Sequence, residues 1–287
     1  MTNLGVNDTY TVIEKGPLRV TVRVDIHFAL PISSSLNARS RLQEKVVCPL
    51  SIFISLNALS RYVNIQVKFD NRVKDHRLRA YFRPEIKTDK VYVDGHFDIL
   101  TRDTKLPKHL GWMEKPSSTQ PQRNFVALQN KTRGFAVLNK GLIQYEATDE
   151  VQPSLYITLL RCIGYLSKDG IEERRGHHCG PALPTPGAQC LGEHTFEYAV
   201  YPYNPSKTSL LEIHKAGQEF NAPLKTVDIA GRKGTLPREL SFCRVKGAIG
   251  SAYKKAEDSD DIIIRLYNIF DSSSPTEIEL FLSLIHI

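Results

Sequence analysis

The sequence predicts an all-β chain, a large β-sandwich followed by a smaller β-domain, on three observations. Short apolar runs recur at roughly eight- to twelve-residue spacing with turn residues between them. No segment keeps a helical period for three turns; only residues 206–220, carrying Leu210, Leu211, Ile213 and His214, offer a helix. Between Leu159 and Val200, two strand-like runs enclose about thirty residues dense in Gly, Pro, Arg, His and Cys. A loop of that length inside a compact domain usually serves a function.

Taken in order, residues 10–30 alternate as one half-buried strand. Tyr10, Val12, Leu18, Val20, Val22, Val24, Ile26 and Phe28 face one way, and Arg19, Thr21, Arg23 and Asp25 the other. A polar turn over 31–44 leads to Val46–Leu56, and a turn at Asn57–Arg61 to Tyr62–Phe69. Arg72–Arg83 alternates bulky and charged residues up to Pro84, so the charged face of Asp75, His76, Arg77 and Arg79 is expected to meet another domain. Short extended pieces follow at 91–93 and 97–100. Phe125–Leu128 and Gly134–Asn139 flank a turn as a hairpin, and Gly141–Ala147 leads on to Leu155–Leu160 and the long loop.

A seam falls in residues 221–233, giving a first unit over 1–225 and a second, truncated one over 226–280. In the second unit, Leu240–Val245 and Ile262–Tyr267 read as strands joined by the charged turn Lys254–Asp261. Residues 281–287 are set apart as a non-native tail, because Leu282–Ile287 matches the translated end of a transposon adaptor used in sequencing libraries.

Composition narrows the function classes. Of 287 residues, 41% are hydrophobic and 24% charged, ordinary for a globular chain. No apolar run approaches the roughly twenty residues of a membrane span, and the N-terminus lacks the apolar core of a signal peptide. The net charge of +7 is spread along the chain and sits on no nucleic-acid motif, so neither a membrane nor a nucleic acid is expected as partner. Five cysteines, an odd number with no CxxC pair, fit free thiols in a reducing cytoplasm. Cys179, Cys190, His177, His178 and His194 have the ligand types for zinc but not the spacing of a structural zinc module. His96 and Asp98, a His-x-Asp pair, read as surface residues of a strand and turn.

Several stretches together resemble the C-terminal β-rich region of glycoside hydrolase family 38, the α-mannosidases, in its bacterial branch. They are Asp70–Asn71 through Asp75–Arg79, Gly134–Leu142, Leu159–Gly164, Thr185–Gln189, His194–Ala199, and Lys254–Asp258 leading to Ile264–Asn268. The resemblance implies a galactose-mutarotase-like sandwich. It also implies retaining hydrolysis of terminal α-mannosides, in which a zinc ion and two carboxylates act from an upstream α/β domain that this sequence does not contain. On that reading the chain holds no catalytic residue and no metal ligand. Its partners are the α-mannoside and the catalytic domain of the same polypeptide, with a homo-oligomer as a further possibility for so large a sandwich.

Within this frame Arg175, His177, His178 and Gln189 are the expected sugar-hydroxyl donors, in a loop stiffened by Pro181, Pro184 and Pro186. Tyr92 is a further candidate, because the family places a tyrosine from this region near the sugar. The alternative is a standalone carbohydrate-binding or mutarotase-like sandwich, for which His177, Glu193, His194 and Glu197 could supply an acid and a base.

Overall fold

The computed structural model describes residues 9–35, 40–168, 179–228, 231 and 237–281. It is 48% strand and 6% helix, in sheets that do not close, as the periodicity predicts. The chain divides into two units, Met1–Asp94 with Thr101–Asn221, and Gly95–Leu100 with Ala222–Ile287.

Thirteen strands build the first part of the chain: β1 (Thr9–Lys15), β2 (Arg19–Pro31), β3 (Lys45–Asn57), β4 (Val63–Asn71), β5 (Arg77–Phe82), β6 (Lys90–Asp94), β7 (Ile99–Asp103), β8 (Thr119–Pro121), β9 (Phe125–Gln129), β10 (Gly134–Asn139), β11 (Gln144–Ala147), β12 (Leu155–Arg161) and β13 (Gly192–Tyr203). Nine form one sheet in the order β1-β2-β3-β4-β13-β10-β9-β6-β7, and four form a second in the order β5-β12-β11-β8. The core lies between them. Val67, Phe69, Val93, Val126, Leu128 and Val137 come from the large sheet, and Tyr145, Leu155 and Ile157 from the small one, all at most 2% exposed. Each such side chain contributes about 1.5–3 kcal/mol by leaving water.

Two expectations about strands change. Residues 10–30 are two antiparallel strands, because Gly16 and Pro17 make a turn in which the Gly16 N–H donates to the Arg19 carbonyl at 2.9 Å. Arg72–Arg83 is not one strand either. Asp75 takes a left-handed backbone (φ 54°) at the corner where the chain leaves the large sheet at Asn71 and enters the small one at Arg77.

The helix expected in 206–220 is present as α1 (Leu210–Asn221). A reciprocal cap starts it: the Glu212 carboxylate accepts the Ser209 N–H at 2.9 Å, and the Ser209 hydroxyl accepts the Glu212 N–H at 3.4 Å. Its buried side is Ile213, His214, Ala216, Gly217 and Phe220. Below it the buried His214 ring meets Asp94, Nδ1 to Oδ1 at 2.9 Å, while Asp94 Oδ2 accepts the Asn124 N–H at 3.0 Å.

In the second unit β14 (Cys243–Lys246) pairs with β17 (Glu277–Leu280), and β15 (Ile249–Lys255) with β16 (Ile262–Tyr267). The charged turn after Lys255 therefore joins β15 to β16, and β15 is a strand that the sequence reading did not separate from its neighbours.

Candidate functional site

The long loop leaves β12 at Arg161 and returns at Gly192. Its two described limbs zip together. Ile163 N–H donates to the Ala188 carbonyl (3.1 Å), Thr185 N–H to Gly164 (2.9 Å) and Leu166 N–H to Leu183 (2.9 Å). Pro186–Gln189 forms a 3-10 turn, with Pro186 at its start and Cys190 in a left-handed conformation at its end (φ 49°).

Gln189, only 6% exposed, sits at the root of this turn and uses both ends of its amide on one residue. Nε2 donates to Asp75 Oδ1 at 2.7 Å, and Oε1 accepts the Asp75 N–H at 2.8 Å. Asp75 Oδ2 takes the hydroxyls of Ser33 (2.6 Å) and Ser34 (3.1 Å). Burial pushes this carboxyl up, but the hydrogen bonds from Ser33, Gln189 and Ser34 outweigh it and hold its pKa at about 2. The Arg41 guanidinium donates to the carbonyls of Asp75, Pro31 (3.1 Å) and Lys74 (3.2 Å). Asn71 Nδ2 donates to the carbonyls of Gln189 (3.1 Å) and Cys190 (2.7 Å). The β2–β3 connection, the β4–β5 corner and the loop root are thereby one hydrogen-bonded block.

Two neighbours complete the block. Burial pushes the Cys162 thiol up to about 11, so it is a buried thiol rather than a nucleophile. His76 has both ring nitrogens buried without a hydrogen-bond partner, and burial and then the Arg41 charge lower its pKa.

Of the predicted donors, Arg175, His177 and His178 lie outside the described residues. Gln189 belongs to this hydrogen-bonded block, which clamps the loop root. Tyr92 is half-buried on β6, opposite Ala127; the line continues through Ala136 to Tyr201 of β13. Gln189 precedes the other end of β13, before Gly192. Nine residues of antiparallel strand separate those levels, about 30 Å, so Tyr92 and Gln189 do not converge on one sugar.

The cluster around Asp75 also reassigns the charged strand. Arg77 donates to the hydroxyls of Thr158 (2.9 Å) and Thr119 (3.1 Å), and Arg79 pairs with Glu146 at 2.6 Å while its guanidinium lies 4.2 Å from the Tyr156 ring centre. This charge is met within the small sheet itself. Ser33, Ser34, Arg41 and Asn71 were not legible as partners of the loop, since they reach it only through the fold. Asp75 lies 114 residues from Gln189, and Asn71 118.

Zinc is the metal that the family resemblance implies for the longer polypeptide. Among the described residues no group of three or more His, Cys, Asp and Glu side chains could hold a metal ion. His96 and Asp98 sit on an exposed turn in which Asp98 Oδ1 accepts the Ile99 N–H at 2.7 Å.

Comparison with known proteins follows the same lines. The model for "Glycosyl hydrolases family 38 C-terminal domain" matches residues 2–166, and that for "Glycosyl hydrolases family 38 C-terminal beta sandwich domain" matches residues 248–286. A Halalkalibacterium halodurans protein provisionally named a mannosylglycerate hydrolase is 28% identical over 233 residues, 79% of this chain and 24% of that protein. Two solved structures share the fold, each at 20% identity over 95% of this chain. One is a family 38 glycosyl hydrolase from Enterococcus faecalis (TM-score 0.80, 32% of that chain), the other an α-mannosidase from Enterococcus faecalis V583 (TM-score 0.81, 31% of that chain). This chain thus spans about a quarter to a third of the length of these relatives.

Proposed function

Because this chain belongs to the glycosyl hydrolase family 38 C-terminal domain family, we propose that it is the β-rich C-terminal piece of a retaining, zinc-dependent α-mannosidase acting on terminal α-mannosides. The carrying observation is the family match over residues 2–166, joined to a relative four times as long as the segment it shares with this chain. On this reading the zinc and the two carboxylates belong to another domain of the longer polypeptide, and zinc chemistry is assigned to no residue of this chain. The free thiols support a reducing, cytoplasmic setting. Domain limits at 1–225 and 226–280 and a homo-oligomer are part of the same proposal.

The loop's part is to reach the sugar from a fixed root. Arg175, His177 and His178 supply donors to sugar hydroxyls, Arg through its rigid fork. Gln189 positions them, because its amide is committed to Asp75. Tyr92, about 30 Å along the sheet, is not given a place in that pocket.

The test is turnover. The purified chain, with or without added zinc, is expected not to hydrolyse an aryl α-mannoside, whereas the parent polypeptide does so in a zinc-dependent way. Turnover by the chain alone would sink the proposal.

A further inference from the structure

The outer face of the large sheet carries a trough of about 390 Å³ lined by none of the described residues of the loop or its clamp. That volume lies within the roughly 300–1,000 Å³ of small-molecule sites. Its floor is set by register. Thr21 lies opposite Ser55, Ser55 opposite Asn64, and in the next row Gln66 opposite Glu197. The β1–β2 hairpin forms one wall with Glu14 and Arg19, and Lys140 with Phe220 of α1 forms the other. These are polar side chains on a sheet face that is nonetheless recessed, with Thr21 only 6% exposed.

The cations lining the trough are already paired. Glu14 is paired with Arg19 at 2.6 Å, and Glu197 with Lys140 at 2.6 Å, so each cation already has its carboxylate. What is left is hydroxyl and amide chemistry. The Thr21 and Ser55 hydroxyls are 2.9 Å apart, the Thr21 hydroxyl also donates to Glu14 Oε2 at 3.2 Å, and Gln66 Nε2 donates to Glu197 Oε1 at 3.1 Å. The Asn64 side-chain amide has no partner among the described residues and so offers two donors and an acceptor to the trough. Phe53, half-buried beside this floor, supplies apolar ring surface, with the Arg23 guanidinium 5.7 Å and the Lys68 ammonium 5.5 Å from its ring centre; Phe220 is buried, with the Lys140 ammonium 5.0 Å from its own.

Directional neutral donors and acceptors repeat here at the strand spacing of about 4.8 Å, beside the Phe53 ring and with the lining carboxylates of Glu14 and Glu197 paired to Arg19 and Lys140. A pyranose presents the matching surface: hydroxyls around its rim and apolar C–H faces for aromatic rings. We propose that this trough is a carbohydrate-binding site of the chain itself, separate from the long loop, with Asn64 and Gln66 as its hydroxyl-reading residues. The proposal goes beyond the hydrolase reading and does not depend on it, since it concerns binding by this chain without turnover.

The experiment is a titration of the isotope-labelled chain with methyl α-D-mannopyranoside, followed through the side-chain amide resonances of Asn64 and Gln66. Saturable shifts at both are expected. Asn64→Ala, which removes no side-chain hydrogen bond of the fold, is expected to weaken binding by at least about tenfold with an unchanged melting temperature, and Gln66→Ala, which also gives up its bond to Glu197, by a similar factor with a lowered melting temperature. Tyr81→Ala, on the small sheet, should leave affinity as it was. The proposal is overturned by the absence of saturable shifts up to tens of millimolar, by shifts confined to other parts of the chain, or by affinity that survives both trough substitutions. Tighter binding of inorganic phosphate at the same resonances would also overturn it, as an anion site. None of these outcomes bears on whether the parent polypeptide hydrolyses mannosides.

Discussion

Asp75 shows how much one side chain decides. Its left-handed backbone lies at the corner between β4 and β5, and its carboxylate gathers Ser33, Ser34 and Gln189. The folded pKa of about 2 lies below the ordinary value of 3.8. The associated stability is therefore complete above the unfolded value and is lost as pH falls through the folded one. Because the group is partly open to water, its size is on the order of 1–2 kcal/mol. In urea unfolding, the gap between the wild type and Asp75→Ala is expected to shrink by more than half from about pH 5 to about pH 2.5. A gap that is constant with pH would show that the carboxylate charge is irrelevant. Gly134 is a second such position, for steric reasons. A Cβ there would stand 2.3 Å from the Tyr203 ring, whose hydroxyl donates to Gln129 Oε1 at 2.9 Å. Gly134→Ala is expected to cost about 1–3 kcal/mol, and an unchanged denaturation midpoint would contradict this packing.

At the scale of elements, the long loop and α1 are each held at one end by a short set of bonds. For α1 that set is the Ser209–Glu212 cap, so Ser209→Ala should destabilise by about 1 kcal/mol, read as a lowered melting temperature with the β signal intact below the transition. For the loop it is Gln189 on Asp75. Truncating this buried amide leaves the Asp75 N–H and one carboxylate oxygen short of a partner, at a cost of about 1–3 kcal/mol. Gln189→Ala is therefore expected to lower the melting temperature by several degrees, while Arg175→Ala leaves it unchanged. In the complete enzyme Arg175→Ala should lower kcat/KM by at least about tenfold. A stable Gln189→Ala variant with the same kinetic loss would instead place Gln189 at the sugar. Gly164 belongs to the same root, since a Cβ there would come within 3.1 Å of Gln189 Nε2 and 3.2 Å of Asp75 Oδ1.

For the whole molecule, the fold assigns different work to the two faces of one sheet. The inner face, with Phe69, Val126 and Val137, supplies the core, while the outer face carries the polar trough. The hydrolase reading assigns this chain no chemistry of its own, and the expected absence of turnover by the isolated chain follows from that. Among the described residues no helix is long and apolar enough to cross a membrane.

The all-β class, the positions of most strands and the one helix were legible in the sequence, because period-two alternation and turn residues are local properties. Phe125–Leu128 and Gly134–Asn139 each run largely apolar on their own, and the turn between them is short, so the hairpin they form needs no distant information. The family resemblance was likewise carried by ordered short stretches. What tertiary structure alone decided is which distant residues meet. Gln189 reads in sequence as a free donor in a polar loop, yet the fold commits both ends of its amide to Asp75, 114 residues earlier. Asn64, Gln66 and Glu197 read as the wet sides of separate strands, and only the pairing of β3, β4 and β13 sets them in one recess. Alternation says which way a side chain points; strand order and register say what it faces, and those are fixed by the burial of the opposite face, which no local pattern encodes.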